Sequence, residues 1–71
     1  SFFPNPARQS KLFFKSTRPL SIEVYSLTGK LILNTTIDSS KSLDISSLNT
    51  GLFIIKMRSD SGTKIKKLIR E

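Results

Sequence analysis

Gly51 to Arg70 reads Gly-Leu-Phe-Ile-Ile-Lys-Met-Arg-Ser-Asp-Ser-Gly-Thr-Lys-Ile-Lys-Lys-Leu-Ile-Arg, and this stretch decides the fold. Its first part, Gly51 to Arg58, alternates as a strand does. Phe53, Ile55 and Met57 share one face; Leu52, Ile54, Lys56 and Arg58 share the other, apolar early and charged late. Asp60-Ser61-Gly62 supplies turn residues. Thr63 to Arg70 returns as the hairpin partner, with Ile65, Lys67 and Ile69 on one face and Lys64, Lys66, Leu68 and Arg70 on the other. The chain therefore closes on a β-hairpin whose second strand is strongly basic.

Moving outward, the same pattern recurs at short spacing. Lys11 to Lys15 is a short strand with Leu12 and Phe14 opposite Phe13. Leu20 to Ser26 sends Leu20, Ile22 and Val24 inward. Leu27-Thr28-Gly29-Lys30 is a tight turn in which Gly29 supplies positive φ, and Lys30 to Thr36 returns from it. The Leu31-Ile32-Leu33 run is too continuous for periodicity to choose its buried face. Asp38 to Lys41 is a polar loop. Ser42 to Ser46 is a strand with Leu43 and Ile45 inward, and Leu48 anchors the turn before Gly51. Helix signals are weak, with Ala7 the single alanine. Six or seven short strands imply an all-β fold, a small immunoglobulin-like antiparallel β-sandwich. Leu20, Ile22, Val24, Leu43, Ile45, Leu48, Phe53, Ile55 and Met57 form the expected core.

Composition narrows the chemistry. The chain has 71 residues, one domain at most, with no cysteine and no histidine. That removes the commonest general base, the commonest metal ligand and any thiolate site. The five carboxylates (Glu23, Asp38, Asp44, Asp60 and Glu71) are scattered, so the chain is not read as an enzyme, and no cofactor or metal is expected. Asp38 and Asp44 read as a turn residue and a strand residue rather than a metal pair. No apolar run approaches membrane-spanning length. The net charge is +7, and half of the twelve basic residues lie between Lys56 and Arg70. That strand reads either as a surface for phosphate groups or as a solvated edge whose lysines oppose edge-to-edge aggregation. Stacked aromatics of nucleic-acid binders are not in view, because Phe53 alternates with Ile55 and Met57 in a core pattern.

At the other end stands Phe2-Phe3-Pro4-Asn5-Pro6, extended by its prolines. It reads either as a rigid recognition tag or as a first strand. The chain opens on this apolar-aromatic segment without an initiator methionine, so residues 1–71 are expected to be a single domain cut from the C-terminal end of a longer precursor.

These segments together resemble the C-terminal sorting domain of the type IX secretion system, type A, also called the Por secretion system C-terminal domain. The resemblance spans essentially the whole chain. An aromatic followed by Pro-Asn-Pro appears as Phe3-Pro4-Asn5-Pro6. The strand and turn of form V-Y-x-x-x-G-K appears as Val24 to Lys30, ending on Gly29-Lys30. A longer passage appears as Leu43-Asp44-Ile45-Ser46-Ser47-Leu48-Asn49-Thr50-Gly51-Leu52-Phe53-Ile54-Ile55-Lys56, and a lysine-led apolar strand as Lys66-Lys67-Leu68-Ile69-Arg70. Phe3 and Phe53 stand where tyrosine is frequent.

The resemblance implies a non-catalytic address label. It would send a cargo protein through the periplasm and across the outer membrane of a Gram-negative cell to the surface or medium. An outer-membrane translocon and its shuttle protein would read the label, and a sortase-like cysteine protease would remove it. Recognition would fall on Phe3, Pro4, Asn5, Pro6, Gly29, Gly51, Phe53, Lys56, Lys64, Lys66, Lys67, Leu68 and Ile69. The last strand is an edge that a partner can extend, and in isolation it would permit edge-strand or strand-swapped homodimers. The alternative is a basic sandwich module that binds a polyanion or a carbohydrate, with nucleic acid itself not expected as a partner.

Overall fold

Seven strands follow one another through short turns: β1 (Phe2–Phe3), β2 (Lys11–Phe14), β3 (Leu20–Ser26), β4 (Leu31–Ile37), β5 (Ser42–Asp44), β6 (Gly51–Ser59) and β7 (Gly62–Arg70). The computed structural model describes residues 2–15, 18–38 and 42–71, the Phe3 side chain excepted. The polar loop read at Asp38 to Lys41 therefore lies, beyond Asp38, outside the described residues.

The strands form two antiparallel sheets, one of order β1-β2-β5 and one of order β4-β3-β6-β7. This is the expected all-β sandwich. Every residue expected in the core is buried there. Leu12, Phe14, Ile37, Leu68 and, less obviously, Ala7 join them. Phe2 packs on this core with its ring 5.9 Å from that of Phe14.

The Leu31-Ile32-Leu33 ambiguity is resolved by an irregularity. Val24 pairs with Leu33 but Tyr25 pairs with Leu31, so one residue, Ile32, is extra on β4. Partners in register share a face. Leu33 therefore follows Val24 inward, and Leu31 follows Tyr25 outward. Of the three, Leu33 is half-buried and the other two are exposed.

The β6–β7 hairpin runs in unbroken register from Gly51–Arg70 to Ser59–Gly62, leaving Asp60 and Ser61 as a two-residue turn. On its inner side Leu68 sits opposite Phe53, while Lys66 and Lys64 sit opposite Ile55 and Met57. The buried half of β7 is thus its C-terminal half. The two lysines continue the inner row where it reaches solvent.

Candidate functional site

The two ends of the chain, read separately in the sequence, meet along the outer edge of β7. In an antiparallel pair alternate residues turn both backbone groups toward their partner, and the residues between turn theirs away. On β7 the outward set is Thr63, Ile65, Lys67 and Ile69, continued by Glu71.

The N-terminal arm occupies the lower half of that edge. The Asn5 side-chain amide donates through Nδ2 to the Lys67 carbonyl (2.9 Å), and its Oδ1 accepts from the Ile69 N–H (3.0 Å). A side-chain amide has the donor and acceptor of a peptide group, so Asn5 pairs with β7 as one more strand residue would. Ala7 then takes over with its backbone: its N–H donates to the Ile69 carbonyl (2.6 Å), and its carbonyl accepts from the Glu71 N–H (2.8 Å). This makes a parallel bridge between Ala7 and Arg70. Arg70 Nη1 also donates to the Ala7 carbonyl (3.3 Å), and Arg8 Nε pairs with Glu71 Oε1 (2.8 Å) in an exposed ion pair.

Because β1 belongs to the small sheet and Ala7 pairs with the large one, Phe2–Ala7 joins the two layers. The sequence left a tag and a first strand as alternatives for this segment. It is a two-residue strand followed by an edge cover. The flanking prolines, Pro4 and Pro6, are exposed, and the Asn5–Pro6 peptide is cis.

Above the arm no described residue pairs with the backbone of this edge. The outward groups of Thr63 and Ile65, and the Lys67 N–H, have no bond to the arm among the described residues. Lys64, Lys66 and Lys67 along it are exposed. The edge expected at the last strand is therefore half as long as its sequence suggests.

The remaining residues expected at the site take different places. Phe53 is 8% exposed and Leu68 is fully buried, so any part they play in recognition passes through the fold. Ile69 and Lys56 lie on the outer face of the large sheet, Lys56 half-buried. Its ammonium stands 4.0 Å from Glu23, whose other contact is the Tyr25 hydroxyl, donating at 2.9 Å. That bond to Glu23 raises the Tyr25 phenol above its ordinary value. Gly29 has φ +93°, a left-handed conformation that side chains disfavour, and its N–H closes the β3–β4 turn on the Ser26 carbonyl (3.0 Å). Gly51 has φ +151° where the chain enters β6. Gly29 serves a turn away from the β7 edge, whereas Gly51 opens β6 opposite Arg70 of β7. Sequence reasoning missed Ala7 and Arg8, since a lone small residue and a lone arginine carry no pattern. Among the described residues no three of His, Cys, Asp or Glu converge as metal ligands.

What the fold and this edge define is a small antiparallel β-sandwich with its first residues folded back along its last strand. The chain belongs to the family described as the secretion system C-terminal sorting domain, which matches residues 1–71. It is thus a C-terminal secretion signal of the type IX system, which sends cargo to the cell surface or the extracellular space. The family is, in general, one of sorting signals and not of catalysts. No curated protein matched the sequence.

Proposed function

We propose that this chain is the address label at the C-terminus of a larger exported precursor, read in the periplasm through the open half of the β7 edge. An outer-membrane translocon and its shuttle protein would be the readers, and a sortase-like cysteine protease would then separate label from cargo. The observation that carries the reading is the outward-facing backbone of Thr63 and Ile65, next to a stretch of the same edge that is already paired. A partner strand added there would gain main-chain hydrogen bonds largely independent of sequence, with Lys64, Lys66 and Lys67 adding selection. In this arrangement Phe3-Pro4-Asn5-Pro6, Gly51, Phe53 and Leu68 keep the edge in shape, and Gly29 shapes the distant β3–β4 turn. Lys56, Lys64, Lys66, Lys67 and Ile69 remain available to a partner. Two copies in isolation could pair by the same open edge, although Lys64 and Lys66 oppose that by charge repulsion. The polyanion reading gains no stacking platform from Phe53, which lies in the core as its alternation implies.

The test is a proline placed where it spares the fold. The Ile65 N–H points away from β6, so Ile65→Pro removes an edge donor and leaves the hairpin ladder in place. Ile65→Ser trims the same side chain and keeps the donor. Each is fused behind a reporter carrying a periplasmic export signal, in a host with the type IX system. The intact and Ile65→Ser fusions should reach the surface or medium, and the Ile65→Pro fusion should accumulate in the periplasm. Secretion of the Ile65→Pro fusion at the intact level would overturn edge capture. Failure of the intact fusion would overturn the sorting assignment itself.

A further inference from the structure

An antiparallel sheet with one face on the core normally turns polar residues to solvent on the other. The four-stranded sheet departs from this at one end. Strand register sets its outer rows: Leu52 beside Ile69, then Leu31, Tyr25, Ile54 and Lys67 in line across all four strands. Leu31 and Leu52 are each 44% exposed and Ile69 is 38% exposed, with Tyr25 and Ile54 half-buried between them. The three exposed aliphatics thus sit on a single continuous surface rather than scattered singly, the arrangement that marks an interaction site.

The rows beyond are mixed, polar and charged apart from Ile65, which is 64% exposed. Next comes Asn34, Glu23, Lys56 and Ile65, then Thr36, Ser21, Arg58 and Thr63. Lys56 and Lys67 therefore border the apolar rows, with Arg58 one row further out and exposed Lys30 at the neighbouring turn. Among the described residues Glu23 is the carboxylate within these rows, engaged by the Tyr25 hydroxyl and by Lys56, and Glu71, beyond Ile69, pairs with Arg8.

We infer that the outer face of the four-stranded sheet, centred on Leu31, Tyr25, Ile54, Leu52 and Ile69, docks a protein partner whose own apolar patch is bordered by carboxylates. The cationic border requires that complement. A second copy would set cations against cations in a chain of net charge +7, so the face is built for something else. A lipid surface fits less well, since Leu31, Leu52 and Ile69 are each less than half exposed and a single strand residue of this face, Ile65, stands further out. The inference rests on the reading of the chain as a label recognised by a partner. It assigns that partner a face distinct from the β7 edge, so the two contacts can fail separately.

The experiment compares the intact chain with the double variant Leu52→Glu, Ile69→Glu, which places carboxylates where the partner would present apolar surface. Gln9→Glu, in an exposed loop away from this face, controls for added charge. Each is fused to the exported reporter and also purified alone for thermal melting. Secretion of the double variant should fall by roughly tenfold or more, as loss of a central contact does, while its melt is retained and Gln9→Glu is secreted like the intact chain. Should the double variant fail to fold, Leu52→Ser with Ile69→Ser takes its place with the same expectation. Unchanged secretion of the folded variant, with the intact fusion secreted, overturns the docking face and leaves the sorting assignment standing. Two further results also overturn it. One is sedimentation showing a dimer of the intact chain that the double variant abolishes. The other is binding of the intact chain, but not the variant, to vesicles of equimolar phosphatidylcholine and phosphatidylglycerol.

Discussion

Replacing Asn5 by alanine should loosen both ends of the chain at once. The substitution removes two hydrogen bonds, to the Lys67 carbonyl and from the Ile69 N–H. Each such bond contributes about 0.5–1.5 kcal/mol net, and water can reach these exposed groups, so the pair should cost about 1–2 kcal/mol. For a domain of this size the melting temperature should fall by about 5–15 °C. Amide hydrogen exchange locates the loss. The Ile69 N–H is given to Asn5 and should lose protection, and the Glu71 N–H, bonded to Ala7, should follow if the arm leaves as a unit. The Leu68 and Arg70 amides turn toward β6 and should stay protected. Asn5→Asp separates hydrogen bonding from shape. It keeps the acceptor for Ile69 but sets a carboxylate oxygen against the Lys67 carbonyl, so it should be no more stable than Asn5→Ala. Wild-type melting of Asn5→Ala with full protection at Ile69 would refute the role given to this side chain.

Two further outcomes test the fold around the site. Phe53→Ala should cost about 3–5 kcal/mol, a large share of the roughly 4–10 kcal/mol expected for a domain of this length; a variant that keeps its thermal transition would remove Phe53 from the core. The Ser46 N–H donates to the Asp44 carboxylate at 2.9 Å, which holds that carboxyl below its ordinary value. The bond should therefore stabilise the loop above about pH 4 and be lost as the pH falls through the lowered value, and a Ser46 amide titration with a midpoint at or above the ordinary aspartate range would contradict it.

The sheet pattern was legible in the sequence wherever side chains alternate. Leu20, Ile22 and Val24 name their own face because Ser21, Glu23 and Tyr25 alternate with them. Phe53, Ile55 and Met57 are told apart by Lys56 and Arg58 on the opposite face, although Leu52 to Ile55 is itself a continuous apolar run. Leu31-Ile32-Leu33 names no face, since a bulge is a backbone event and three aliphatics in a row conceal it. Ala7 is buried through long-range contact with Arg70, and no local period encodes that. Asn5 was visible as part of a motif, but not as an edge mimic. Its function depends on residues more than sixty positions away. The outer-face patch escaped for a related reason: Leu52 and Ile69 each look like ordinary strand residues until register sets them side by side.

Contact between Asn5, Ala7 and the strand that ends the chain changes how a C-terminal deletion should be read. Removing Lys67 to Glu71 would take away Leu68, which is fully buried opposite Phe53. It would also remove the backbone groups that the arm uses, since among the described residues Asn5 and Ala7 bond to the backbone of Lys67, Ile69 and Glu71 and to the Arg70 side chain along that edge. Loss of secretion after such a cut would follow from an unsealed sandwich as readily as from a lost label. Point changes that spare this seal separate the two. Ile65→Pro acts above the arm, and Leu52→Glu with Ile69→Glu alters side chains while leaving the Ile69 backbone free to hold Asn5 and Ala7. The N-terminal Phe-Pro-Asn-Pro stretch and the C-terminal basic strand, far apart in sequence, are two halves of one edge, so neither should act as a label without the other.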